Sequence, residues 1–69
     1  MKFAVCINNA DYAASLMVLK IYRVMTDKQA TADGDVRVVD ESGEDYLYPA
    51  DRFVFVELPT AVQKAMFGS

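Results

Sequence analysis

Residues 40–53, DESGEDYLYPADRF, contain the clearest turn and strand signals of this chain. Residues 41–44, ESGE, predict a tight hairpin turn, because glycine adopts the positive φ that such a turn requires. The return strand covers residues 45–48 and ends at Pro49, because proline donates no backbone hydrogen bond. Residues 49–52 then have the length of a single 3₁₀ turn. This stretch therefore predicts a hairpin that leads through a short corner into a further strand.

Four other segments have the composition of β-strands. They are residues 2–7, 20–25, 36–39 and 53–57. In the second of these segments, alternation places Tyr22 and Val24 on one face of the sheet and Arg23 on the other. The last segment is apolar at four consecutive positions, so we expect it to be covered on both faces. Residues 26–35 predict a polar loop, and residues 12–19 predict an irregular loop for which a helical turn is the alternative.

Residues 59–67 predict a short C-terminal helix, since Pro59 suits a first helical position. One stripe of this helix is apolar and consists of Ala61, Val62, Ala65 and Met66. We expect the stripe to dock on the outside of the last strand, because about three turns of helix are not stable alone in water. The predicted fold class is mostly β, with five strands, a 3₁₀ turn before the last strand and a short C-terminal α-helix.

Composition and charge are those of one small domain. The chain has 69 residues, of which 54% are hydrophobic, and a formal net charge of −3. This length suits a single domain over residues 1–69 with one core. Cys6 is the only cysteine, so no intramolecular disulfide can form, which favours a reducing compartment. We recognise no transmembrane segment and no signal peptide, so the expected location is the cytoplasm, and Gly68-Ser69 enters none of these inferences.

Two segments match patterns that occur together elsewhere. Residues 15–24, SLMVLKIYRV, fit a Ser-Leu-x-x-x-Lys-x-Tyr-x-Val pattern at the start of a second strand, and residues 40–49 fit a hairpin with a 3₁₀ corner. The chain thereby resembles small bacterial and phage-associated proteins with an SH3-like barrel. The resemblance covers about residues 2–57 and implies a five-stranded SH3-like barrel, with the helix at about 59–67 as an addition. It implies no functional residues. These proteins usually carry glycine directly before the lysine of the first pattern, and there this chain differs from them, because it has Leu19.

Acidic side chains are concentrated in the predicted hairpin. They are Asp40, Glu41, Glu44 and Asp45. Carboxylates that face one another can bind Ca²⁺ or Mg²⁺. The residue spacing of a calcium-binding loop is missing here, so we interpret the cluster as a solvated turn whose charge blunts edge pairing. No metal ligand and no cofactor is predicted.

Two tyrosines are candidates for a partner-binding groove. Tyr12 lies in the long loop and Tyr48 beside the 3₁₀ corner, and aromatic side chains at such places can line a groove for an extended peptide. The alternative is that they belong to the core, as aromatic residues in strands more often do.

Arg23 and Arg37 are candidates for a different surface. They lie on neighbouring predicted strands and can share one face, where exposed tyrosines would stack on single-stranded nucleic acid. An acidic chain without a basic run makes nucleic acid the less expected partner.

Groups for catalysis are scarce. The chain has no histidine, which is the commonest general base. Cys6 lies within the first predicted strand, where a buried thiol is unreactive. The sequence therefore predicts a non-catalytic, cytoplasmic module that binds a protein or peptide, and a small nucleic-acid-binding barrel is the alternative. Homodimerisation is a further explanation of the high hydrophobic fraction of the sequence.

Overall fold

The computed structural model describes residues 2–40 and 42–68. Its elements are β1 (Lys2–Cys6), β2 (Ile21–Met25), α1 (Lys28–Ala32), β3 (Asp35–Val39), β4 (Asp45–Pro49), a 3₁₀ turn (Ala50–Arg52), β5 (Phe53–Val56) and α2 (Thr60–Phe67). The mostly-β class, with five strands, a 3₁₀ turn and a C-terminal helix, is confirmed. Of the predicted hairpin turn, Glu41 lies outside the described residues. Over the two described ranges, no helix combines the length and the apolar character needed to cross a bilayer.

All five strands form one antiparallel sheet in the order β4-β3-β2-β1-β5. β1 pairs with β2 on one side, where Ala4 lies opposite Tyr22, and with β5 on the other, where Ala4 lies opposite Phe55. β4 and β5 are the edges of the sheet, and within the described residues they do not pair with each other. The chain thus forms an open sheet whose two edge strands are consecutive in sequence.

One face of the sheet, the inner face, carries the hydrophobic core. Its buried members are Ala4, Cys6, Leu16, Tyr22, Val24, Val36, Val38, Tyr48 and Phe53. Tyr22 and Val24 lie together on this face, as the alternation predicts. The ring of Phe53 meets that of Tyr22 edge to face, with 6.1 Å between centroids. Leu16 comes from the loop between β1 and β2 and is 1% exposed, so a loop residue closes the core.

Local hydrogen bonds hold this long loop in place. The backbone N–H of Leu16 donates to the carbonyl of Tyr12 at 2.8 Å, which closes one turn. The side-chain amide of Asn9 donates to the carbonyl of Leu16 at 2.9 Å. The N–H of Met17 donates to the hydroxyl of Tyr22, also at 2.9 Å. Because backbone groups near a core must be paired, these bonds allow Leu16 to be buried without a regular helix or strand around it.

The predicted loop over residues 26–35 contains α1, so that prediction is wrong at its centre. The Asp27 carboxylate caps the helix by accepting the N–H of Ala30 at 3.0 Å, an arrangement typical of an N-cap. Ala30 is buried. The Asp27 carboxylate also accepts from Nε of Arg37 on β3 at 2.7 Å. A helix of only five residues, too short to be stable alone, is therefore stabilised by a residue from a neighbouring strand.

α2 packs on the outer face of the sheet, which is the face opposite the core. Its last residue, Phe67, stacks on Phe3 of β1 with ring centroids 5.2 Å apart. The predicted docking stripe is wrong, because all four of its residues are exposed, namely Ala61, Val62, Ala65 and Met66. None of the described residues of α2 is buried. The helix is held by the large ring at its end, and its apolar stripe is left without a partner.

β5 is less covered than its apolar sequence predicts. Val54 is 49% exposed and Phe55 is 56% exposed. The expectation of cover on both faces is therefore wrong. Val54 lies on the outer face, where the helix after β5 makes its ring contact with Phe3 of β1 instead of with β5, whereas Phe55 lies on the inner face at the free edge of the sheet.

Candidate functional site

The two predicted groove residues, Tyr12 and Tyr48, lie side by side. Their rings meet edge to face with centroids 5.2 Å apart. Tyr48 is 7% exposed and belongs to the core. Tyr12 is half-buried and packs against that core. The structure brings the pair together, and of the two rings only that of Tyr12 is partly exposed.

Arg52, in the 3₁₀ turn, covers part of that ring. Its guanidinium carbon lies 5.9 Å from the centroid of the Tyr12 ring, in a cation–π arrangement. The carboxylates of Asp51 and Asp11 are 3.6 and 3.8 Å from its nitrogens. Nε of Arg52 is buried and has no hydrogen-bond partner among the described residues. Sequence reasoning missed this contact, because Arg52 and Tyr12 are distant in the chain.

A groove of ≈ 360 Å³ lies beside Tyr48, between the long loop and the β3–β4 hairpin. It is lined by Ser15, Leu16, Tyr22, Val38, Asp40, Tyr46 and Tyr48. At its rim, the Ser42 hydroxyl donates to Asp40 at 2.6 Å and lowers the pKa of that carboxyl. The Tyr46 hydroxyl donates to the carboxylate of Glu44, which raises the pKa of Tyr46 to about 12. The polar groups of the rim are therefore bonded to one another within the hairpin.

The acidic cluster of the hairpin does not converge on one point. Asp40 bonds within the turn, whereas Asp45 forms an ion pair with Arg37. Glu44 accepts from a tyrosine hydroxyl, and Glu41 lies outside the described residues. In residues 2–40 and 42–68, no three His, Cys, Asp or Glu side chains are close enough together to hold a metal ion.

Arg23 and Arg37 lie on neighbouring strands and on the same outer face of the sheet. Arg37 is bonded to two carboxylates, those of Asp27 and Asp45, and these bonds raise the pKa of its guanidinium. Arg23 lies over the ring of Phe67, 5.6 Å from the centroid. The structure thus places the two arginines near each other, but internal contacts engage both of them and compensate the charge of Arg37.

Exposed apolar side chains gather where β1 leaves the sheet and the long loop returns to it. They are Ile7, Met17, Val18 and Leu19, which we call the apolar tip. Met17 is 65% exposed and Leu19 is 75% exposed. The Leu19 N–H donates to the carbonyl of Cys6 at 2.7 Å, so Leu19 lies next to Ile7 at the end of β1. A cluster of large exposed apolar groups is typical of an interaction surface.

The backbone at Leu19 is in the left-handed region, with φ of 69°. The Lys20 N–H donates to the carbonyl of Met17 at 3.3 Å, so residues 17–20 form a β-turn with Leu19 in third position. Cys6 accepts from Leu19 and donates to Lys20, which is the pattern of a bulge whose first residue is normally glycine. Leu19 therefore stands where the backbone geometry favours glycine. The sequence analysis did not predict the apolar tip, and the leucine at this position is the sequence signal that could have indicated it.

Comparisons with protein-family models, with curated proteins and with solved structures find no match to this chain. Function must therefore be inferred from the surfaces themselves. The apolar tip stands apart from the other candidates, because exposure of apolar side chains and an unfavourable backbone conformation occur there at the same residue.

Proposed function

We propose that this protein is a non-catalytic protein-binding module that binds its partner through the apolar tip. The observation that carries the proposal is Leu19, a leucine with positive φ whose side chain is 75% exposed. The left-handed conformation costs a leucine about 1–2 kcal/mol. Burial of a leucine side chain contributes about 1.5–3 kcal/mol. Burial of the Leu19 side chain by a partner would therefore be enough to offset this strain.

The chemistry of the tip indicates the kind of partner. Its four residues carry no charge, so the complementary surface is an apolar pocket on another protein. Met17 adjoins Leu19, and the flexible thioether chain of methionine adapts to irregular apolar surfaces. The hydrogen bonds that hold Leu16 in the core fix the base of the loop, so the tip is presented from a rigid support.

We also infer that the sheet curls into an open SH3-like barrel. Only the three residues Ala50–Arg52 join β4 to β5, although these strands lie at opposite edges of the sheet. Five strands laid flat would separate the edges by about 19 Å, whereas the four Cα steps from Pro49 to Phe53 span at most about 15 Å. The rings of Tyr48 on β4 and Phe53 on β5 are 6.1 Å apart. Both facts support a curled sheet with its edges close together at this corner.

The nucleic-acid alternative has less support. Its mechanism requires exposed cations beside exposed aromatic rings. Arg37 is paired with two carboxylates, and Arg23 is engaged by Phe67. Filter binding of single-stranded DNA and RNA at low salt tests this alternative directly, and we expect no retention of either nucleic acid.

The test of the proposed function compares matched variants in a pull-down from the lysate of the native host. Leu19→Ala removes most of the exposed Leu19 side chain and leaves the rest of the apolar tip unchanged. Leu47→Ala is the control, because Leu47 is also an exposed leucine but lies on β4. We expect the wild type and L47A to retain the same partner, and L19A to bind the purified partner at least about 10-fold more weakly, as loss of an important interface residue does. Equal binding by L19A and the wild type would refute the proposed surface.

A further inference from the structure

The two edges of the sheet differ in how they are protected. Edge strands usually carry charges, proline or bulges that prevent pairing with another chain. β4 follows this rule, since it begins with the charged Asp45 and ends with Pro49. β5 has the sequence FVFV and, among the strands of the described chain, is the only one without a charged residue. β4 therefore has features that oppose pairing with another strand, whereas β5 lacks them.

The backbone of β5 offers hydrogen bonds on its free side. The Ile7 N–H donates to the carbonyl of Arg52 at 2.8 Å, so Arg52 faces β1. In an antiparallel ladder the bonding direction alternates from residue to residue. Val54 and Val56 consequently face β1 as well, and the N–H and C=O of Phe55 point away from it. Beside Phe55 a cavity of ≈ 230 Å³ remains open towards Ala50 and α1.

We propose that β5 pairs with β5 of a second copy of this chain, antiparallel about a two-fold axis at Phe55. A two-fold axis perpendicular to the sheet keeps inner and outer faces in common, so it can place a residue opposite itself. With Phe55 opposite Phe55, Val54 lies opposite Val56 and Phe53 opposite Glu57. The outward N–H of each Phe55 then donates to the outward C=O of Phe55 in the other copy. The same pairing covers the exposed surfaces of both Phe55 and Val54.

The positions of the charged residues favour this register and favour a second copy of the chain as the partner. A shift that places Val54 opposite itself would bring Asp51, in the 3₁₀ turn before β5, towards Glu57 of the other copy at both ends of the pair, and like charges brought together in this way destabilise a strand pair. The proposed register has no opposed charges. The strand also has no charge with which to attract a charged peptide, whereas its apolar sequence is complementary to itself. The four residues of β5 provide less than the usual ~1,200–2,000 Å² of a stable interface. We therefore expect weak self-association, with a Kd of about 10 μM to 1 mM.

The test is sedimentation equilibrium of the purified protein at concentrations up to about 1 mM. Phe55→Lys and Phe55→Glu each place like charges at the two-fold axis, and we expect each to weaken self-association at least about 30-fold, as loss of a dominant interface residue does. An equimolar mixture of F55K and F55E should dimerise again, because opposite charges then meet at the axis. Leu47→Lys, a matched charge on the other edge strand, should leave self-association unchanged.

Each result bears on the proposal. A wild-type protein that stays monomeric at the highest concentration overturns it, and so does a loss of self-association in L47K equal to that in F55K. Failure of the F55K and F55E mixture to dimerise, with both variants folded by circular dichroism, excludes the axis at Phe55. The L19A variant should dimerise like the wild type, so this test and that of the proposed function fail independently.

Discussion

Replacement of Leu19 by glycine should leave the fold at least as stable as before, although it deletes a large apolar side chain. Leucine at a φ of 69° is strained by about 1–2 kcal/mol relative to the right-handed region, and glycine has no such strain. Glycine loses more backbone entropy on folding, which costs about 0.5–1 kcal/mol relative to alanine. The deleted side chain is 75% exposed, so little burial is lost. The net change should lie between about zero and 1.5 kcal/mol of stabilisation.

Urea unfolding followed by far-ultraviolet circular dichroism measures this difference. A stabilisation of 1 kcal/mol raises the Tm of a domain of this size by about 4–8 °C, so thermal unfolding gives a second measurement. The control is Leu19→Ala, which removes the side chain but keeps the cost of positive φ. We expect L19G to be more stable than L19A, while both variants bind the partner equally poorly.

The comparison separates strain from function. A destabilisation of L19G by more than about 1 kcal/mol would mean that the Leu19 side chain contributes to folding. The coincidence of strain and exposure would then no longer argue for a partner. An L19G variant less stable than L19A would contradict the left-handed conformation itself.

Three further predictions concern the core, a helix cap and the hairpin. Leu16→Ala should lower the free energy of unfolding by about 2–5 kcal/mol in urea titrations, whereas the exposed Met17→Ala changes it by less than about 0.5 kcal/mol. Asp27→Ala should lower the Tm at neutral pH. Because bonds to Ala30 and Arg37 hold the folded-state pKa of Asp27 below 3.8, its contribution is present above that pH and disappears as the pH falls through the lowered pKa, so the two Tm values should converge in acid. Spectrophotometric titration should find one tyrosine with a pKa of about 12, Tyr46, and Glu44→Gln should lower that value.

The strands and the inner face were predictable from sequence because they depend on local patterns. Alternation correctly placed Tyr22 and Val24 in the core, and the ESGE segment with the following proline marked the hairpin and corner. These signals act over two to five residues. Glycine, proline and strand alternation therefore account for the order of the β-elements without reference to distant contacts.

The C-terminal helix was predicted, but α1 and the packing of α2 were harder to predict because distant residues determine them. α1 depends on Asp27, whose carboxylate is bonded to Arg37 ten positions away. α2 depends on the meeting of Phe67 with Phe3, at the two ends of the chain. An apolar stripe at helical spacing gives the side of a helix that is suited to burial. It does not show whether another element has a free surface to receive that side.

The candidate site was predictable only in its pairings. Tyr12 and Tyr48 do lie together, and Arg23 and Arg37 do share a face. Their availability was not predictable, because it depends on burial of the Tyr48 ring and on the two carboxylates that engage Arg37. The apolar tip was not predicted, because its exposure is evident only in three dimensions and a leucine in place of glycine was its only sequence signal.

Because α2 is attached mainly through the ring of Phe67, the free energy needed to detach this helix differs from the free energy of unfolding the sheet. Full burial and stacking of a phenylalanine amount to about 2–4 kcal/mol, which is an upper limit for the half-buried Phe67. An isolated helix of eight residues is unstable in water. Detachment of α2 should therefore require less free energy than unfolding of the sheet, and it should occur many times for each global unfolding event. Each detachment uncovers Phe3. Phe3 is thus covered only while α2 is attached, and any molecule that binds to Phe3 must compete with the ring of Phe67.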